Sequence, residues 1–188
     1  MTNQEKINIL NLEVARPLNL DILDIATVVS IESNFNEKAV NKYTGASGII
    51  QFMPATAQEL GYNISQVRAM TFNEQAKLAK KYLEKKNARG LRGVDLYLSV
   101  FYPVSVGKEN FVYPNSVYSV NSGLDYDKNG KLTYSDIKRF FESKKAQTVK
   151  DYDLSGATSF FSLKKWMYFI FPISFILISL ITYNYSKK

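Results

Sequence analysis

The chain contains no cysteine and no histidine in its 188 residues. The first absence excludes a disulfide framework and a thiol nucleophile. The second excludes a Ser-His-Asp triad, a Cys-His pair and a histidine-held zinc-water site. It also removes the side chain that most often moves protons near neutral pH. Acid-base chemistry therefore rests on Asp, Glu, Tyr or Lys. Negative charge is in deficit too, and the formal net charge of +7 points to an anionic partner: nucleic acid, a membrane surface or an acidic polymer. Lys77, Lys80, Lys81, Lys85 and Lys86 also read as an ordinary solvated face. No helix-turn-helix, zinc finger or aromatic-basic RNA signature accompanies the charge, so no nucleic-acid partner is expected.

What is present is aromatic and apolar, with 13 Tyr and 12 Phe. Residues 1–12 are polar and mixed in charge, without the basic start and apolar stretch of a secretory signal. Asn19 to Ser33 reads as a helix with Asp21 and Asp24 in its first turn, where carboxylates suit the dipole. Its middle, Ile22 to Ile31, is apolar nearly all round, which implies burial. Pro54 to Leu60, Phe72 to Asn87 and Asp95 to Tyr102 read as further helices or apolar segments. The uncharged segment Trp166 to Tyr183 lies between Lys164-Lys165 and Lys187-Lys188. As a helix it would span about 27 Å, close to the hydrocarbon thickness of a bilayer. Trp166, Tyr168, Tyr183 and Tyr185 stand where aromatic belts belong, so 166–183 is expected to contact lipid. Four divisions follow: 1–120 catalytic, 121–146 a loop with its exiting helix, 147–162 a linker, and 163–188 an anchor with a basic tail.

Glu32 ends the first apolar helix, with Val28, Val29 and Ile25 on its helical neighbours. A carboxyl desolvated in this way stays protonated more readily and can act as a general acid near neutral pH. On the helix alone, an inert, partly exposed carboxylate at a helix end is the favoured reading. Downstream, Ile31-Glu32-Ser33-Asn34-Phe35-Asn36 is followed by Ala39-Val40-Asn41 and then by Gly45-Ala46-Ser47-Gly48-Ile49-Ile50-Gln51-Phe52-Met53-Pro54-Ala55-Thr56-Ala57. This stretch, Ile31 to Gly61, resembles the lytic transglycosylases of the lysozyme-like superfamily. The resemblance implies a mainly α, helix-dominated α+β lysozyme-like domain, here carrying a single C-terminal transmembrane helix.

It further implies that Glu32 is the one catalytic acid and base, with bacterial peptidoglycan as partner and no cofactor for catalysis. Glu32 would protonate the bond between N-acetylmuramic acid and N-acetylglucosamine, then take the proton of the muramic 6-hydroxyl as an anhydro ring closes. Ser33, Ser47 and Gln51 are carried over as substrate-binding positions. Gly45 and Gly48 fit a turn close to the glycan and an ordinary loop alike. Phe52 and Met53 read as packing residues. The family's downstream Ala-Tyr-Asn-Ala-Gly segment is replaced by Leu98-Ser99-Val100-Phe101-Tyr102-Pro103-Val104, leaving Tyr102 as the candidate aromatic facing the acid, with a core tyrosine fitting equally well. The stretch from Asp95 to Gly107 looks more like phage-encoded members.

Asp125-Tyr126-Asp127-Lys128-Asn129-Gly130-Lys131-Leu132-Thr133-Tyr134-Ser135-Asp136 is similar to an EF-hand loop. Asp125, Asp127 and Asn129 occupy positions one, three and five. The Lys131 carbonyl follows at seven, and Asp136 stands at twelve where Glu is usual. A structural calcium ion is expected. The alternative is a hairpin turn at Asn-Gly. Ile137 to Gln147 reads as the exiting helix, and the segment entering the loop does not look helical. Three functions compete: a lytic transglycosylase, a muramidase needing a second carboxylate such as Glu37 or Asp95, and a silent wall-binding membrane protein. An anchored wall enzyme with no export signal suits the internal membrane of a phage virion, among other virion proteins. The bacterial envelope is the alternative location.

Overall fold

The computed structural model describes residues 1–152. The segment expected to anchor the chain, and all but the first residues of the expected linker, lie outside the described residues. Among the described residues no helix is long and apolar enough to cross a membrane.

The first helix, α1 (Asn3–Leu10), is started by a Thr2–Glu5 capping box, in which each side chain satisfies an orphan backbone N–H. It runs on through a π-helical turn, Asn11–Ala15, into the single turn α2 (Arg16–Leu18). This composite stops at Asn19, which adopts a left-handed φ of 52°. The apolar helix α3 (Ile22–Ser33) therefore starts three residues later than its composition suggests, at the Asp21 cap that accepts Leu23 N–H at 2.7 Å. Then come α4 (Pro54–Glu59), α5 (Ile64–Ala69), α6 (Phe72–Lys85) and α7 (Gly93–Phe101). A short α8 (Asn115–Asn121) and the long α9 (Tyr134–Asp151) complete the set. Helix α6 is two-faced: Phe72, Ala76, Ala79 and Leu83 are buried while its lysines face outward.

The described residues hold no named strand, only three antiparallel bridges: Val40 with Ser47, Ser47 with Phe52, and Val112 with Thr133. Helix α3 sits at the centre, with Ile25, Ala26, Val28 and Val29 fully buried, and packs on α1, α7 and α9. Helix α9 packs on α3 and α7 within one compact unit.

Candidate active site

Glu32 stands in the last turn of α3, and the chain turns sharply after it. Asn34 and Phe35 take left-handed φ values of 49° and 59°, a conformation that Asn tolerates and Phe ordinarily avoids. Distant contacts hold it. The Phe35 ring is buried and lies 4.9 Å from the Tyr152 ring at the end of α9. The Phe35 carbonyl accepts the Lys6 ammonium at 2.7 Å, and Lys6 also pairs with Glu37 at 2.9 Å. The Glu32 carboxyl has no hydrogen bond or ion pair among the described residues. Burial alone pushes its carboxyl up to about 7, so near neutral pH it carries a proton that it can donate.

The loop after α3 is built against that helix end. Asn41 Oδ1 accepts the N–H groups of Tyr43 and Thr44, and the bridges at Ser47 fold the chain back. The Ser33 hydroxyl, still facing its own helix at Val29 O, donates to Ile49 O at 3.0 Å. Gln51, at a left-handed φ of 51°, donates from Nε2 to Gly48 O. Together with Ile50, Phe52, Met53, Thr56, Tyr82 and Val100 it lines a pocket. Glu32 is not among its lining residues, but Tyr82, which is, feels the Glu32 charge. The Tyr82 hydroxyl is pushed up to about 12 by burial and then by the Glu32 charge.

Two expectations change here. Ser47 was expected to bind substrate, but it is fully buried. Its hydroxyl donates to Gly45 O at 2.9 Å and accepts Arg68 Nε–H at 2.9 Å. It braces the loop from beneath, because pairing with both Val40 and Phe52 turns its side chain inward. Tyr102 was expected to face the acid, but it packs against Phe111 and Tyr113, with ring centroids 5.8 and 5.3 Å away. The tyrosines in the field of Glu32 are Tyr82 and Tyr97, and the Tyr97 hydroxyl is raised by burial first and the Glu32 charge second.

Sequence reasoning missed Gln75 altogether. Fully buried on α6, it accepts Ile49 N–H at 2.9 Å and donates to Glu37 O and Val67 O at 2.9 and 3.0 Å. A Cβ at Gly48, whose φ is +81°, would overlap Gln75 Oε1. Glycine is needed there so that this amide can reach the loop backbone. The available signal was one uncharged polar residue on the apolar face of α6.

Residues 15–100 match the model of the transglycosylase SLT domain. No curated protein matches the chain. Members of that family are lytic transglycosylases, and the match supports this class of activity on peptidoglycan. The SLT match begins in the π-helical turn and reaches to within one residue of the end of α7, so it contains Glu32, the loop and Gln75. The aromatic loop, α8 and α9 lie beyond it.

In that further part, carboxylate oxygens of Asp125, Asp127 and Asp136 converge within 4.8 Å of one another. Asn129 N–H donates to Asp125 and Asp127 at 3.2 Å, and Gly130 N–H to Asp125 at 2.9 Å. Lys131 N–H donates to Asn129 Oδ1, and Leu132 is buried. Asp136 also caps α9 through Thr133. The entering segment, expected to be non-helical, is α8 followed by a short 3-10 turn over Ser122–Leu124. The exiting helix runs four residues past the expected Gln147.

Proposed function

We propose that the chain is a peptidoglycan lytic transglycosylase that cuts the β-1,4 bond between N-acetylmuramic acid and N-acetylglucosamine. Protonated Glu32 gives its proton to the glycosidic oxygen as the bond to the anomeric carbon breaks. The carboxylate then takes the proton of the muramic 6-hydroxyl, whose oxygen bonds to that carbon and closes the 1,6-anhydro ring. No water is consumed, and Glu32 ends as it began.

The observation that supports this reading is that burial alone shifts Glu32, with no charged group paired to its carboxyl among the described residues. A muramidase needs a second carboxylate across the cleft. The two that could be nominated are occupied elsewhere. Glu37 is held below the usual carboxylate range, first by its hydrogen bond to Lys6. Asp95 Oδ1 accepts Gly107 N–H at 3.0 Å and the Tyr134 hydroxyl at 3.2 Å. Mass spectrometry of digested sacculi tests the reading. Anhydro-muropeptides are expected from the wild type and none from Glu32→Gln. Reducing ends alone would make the chain a muramidase, and equal inactivity of both proteins would leave a wall-binding role.

A calcium ion is proposed for the loop from Asp125 to Asp136. The all-oxygen donor set of Asp125, Asp127, Asn129, the Lys131 carbonyl and Asp136 suits a hard cation, and three converging carboxylates need a countercharge. Calcium would hold the start of α9 and take no part in the chemistry.

A membrane anchor over 166–183 and a place in a phage virion with an internal membrane are proposed on sequence grounds. The support is the uncharged, aromatic-flanked, lysine-bounded segment. Recovery of the chain with the membrane fraction of purified virions is expected; recovery solely from uninfected envelopes would refute the virion placement.

A further inference from the structure

The turn after Glu32 is held by two residues that both lie outside the SLT match. Asn34 and Phe35 stand at left-handed φ values of 49° and 59°, which a bulky side chain keeps only where its surroundings impose them. From α1, Lys6 donates to Phe35 O at 2.7 Å and pairs with Glu37 at 2.9 Å. Its side chain is only 12% exposed, and its ammonium lies 5.2 Å over the Phe72 ring. From the other side, Tyr152 sets its ring 4.9 Å from the Phe35 ring and donates its hydroxyl to Asn34 Oδ1 at 3.4 Å. That hydrogen bond is long, so the ring carries the hold. Tyr152 is fixed in turn by its N–H, which donates to Thr148 O at 3.1 Å on α9.

This turn closes the end of the helix that carries the acid. The path through Asn34 and Phe35 brings Asn36 N–H back to Ser33 O at 3.0 Å. The Glu32 carboxyl has no hydrogen bond or ion pair of its own among the described residues, so its place depends on the backbone and on packing. Of the titratable groups on the elements around it, Tyr82 of α6 and Tyr97 of α7 feel its charge. The nearby ions are already matched, Lys6 with Glu37 and Lys145 of α9 with Asp24.

We propose that Lys6 and Tyr152 are positioning residues for Glu32: they clamp the left-handed turn from two sides, and the clamped turn keeps the acid in place and away from water. Their effect on turnover rests on the transglycosylase reading, whereas their hold on Glu32 does not.

The test is a carbon-13 NMR titration of the Glu32 carboxyl in the full chain, assigned by the signal that Glu32→Gln removes. It is paired with kcat and KM for release of anhydro-muropeptides from soluble glycan strands. The wild-type midpoint is expected at about 7. Lys6→Met and Tyr152→Ala are expected to move it down by about one pH unit, toward the ordinary 4.5. Both should lower kcat about tenfold with KM little changed. Tyr152→Phe, which keeps the ring, should retain the wild-type midpoint and kcat. Loss of the lysine charge would by itself push a carboxyl up, so a fall reports water reaching Glu32. Partial unfolding lowers kcat but leaves the midpoint of the folded fraction in place. The two variants alter different helices, so a failure of one to fold leaves the other to decide. An unchanged midpoint in the folded variants, or a wild-type midpoint near 4.5, would overturn the clamp. If the midpoints fall but the wild type releases no anhydro-muropeptide, the transglycosylase reading is overturned and the hold on Glu32 stands.

Discussion

Asp24 Oδ1 and Lys145 Nζ lie 2.6 Å apart across the packing of α3 on α9, with the Asp24 side chain only 2% exposed. The other Asp24 oxygen accepts Gly93 N–H at 2.7 Å, at the start of α7. Burial lowers the Lys145 ammonium, but the Asp24 carboxylate outweighs it, and the lysine is held above its ordinary value. One carboxylate thus ties the helix that carries Glu32 to α7 and α9.

Breaking this pair should be asymmetric. Lys145→Met leaves a buried carboxylate without its countercharge and should cost about 3 kcal/mol. Asp24→Asn keeps an acceptor for Gly93 and frees a lysine that is already 26% exposed, so it should cost less. Urea unfolding of both variants measures the order, and the reverse order would contradict the burial of Asp24.

Glu32 should make both activity and stability fall with rising pH. The proposed mechanism needs the acid form, so kcat/KM should decline as pH rises through about 7. Between the ordinary carboxyl value of 4.5 and about 7, the folded state keeps a proton that the unfolded chain has lost. Stability therefore decreases as pH rises through that window, by up to about 3 kcal/mol at its top. Glu32→Gln should be more stable than the wild type above pH 7 and equal to it below 4.5. Identical pH profiles of unfolding for the two proteins would show that Glu32 is not desolvated.

At Gly48, alanine meets both a left-handed backbone and the Gln75 amide. Gly48→Ala should cost about 2 kcal/mol and displace the loop, lowering cleavage. Gln75→Leu leaves Ile49 N–H and two carbonyls unpaired, at about 1–3 kcal/mol. Gly48→Ala combined with Gln75→Ala should cost less than the sum of Gly48→Ala and Gln75→Ala made singly, because the overlap is gone although the φ strain persists. Strict additivity in a double-mutant cycle would dissociate the two residues.

Calcium should raise the unfolding free energy by about 2.7 kcal/mol at a hundredfold excess over its dissociation constant. Asp125→Asn should abolish the shift, and a chelator should reverse it in the wild type. A melting temperature that does not respond to calcium would leave the loop as an Asx-bonded turn.

The sequence made legible whatever is local. Glu32 at the end of an apolar helix, Ser33 beside it and Gln51 six residues after Gly45 follow one another along one stretch of chain. Capping boxes at Thr71 and Thr133 likewise lie within four residues. Less local features were misread. Asn19 was assigned to a helix because its left-handed φ stops the chain only in the company of Arg16 O and the start of α3. Ser47 looked available because a serine in a glycine-rich loop gives no sign of which way a bridge will turn it. Tyr102 was set opposite the acid because it was the hydroxyl nearest the replaced motif, whereas Tyr97 is one helical turn closer to the burial that α9 provides.

The sequence by itself singled out the carboxyl proposed as the acid, excluded a thiol or imidazole in its place, and set the order of the helix and loop around it. Only the tertiary structure decided that this carboxyl is protonated near neutral pH, that Gln75 holds the loop and that Lys145 secures the helix. Desolvation and buried hydrogen bonds depend on groups brought together from distant parts of the chain, and no local pattern records who those neighbours will be.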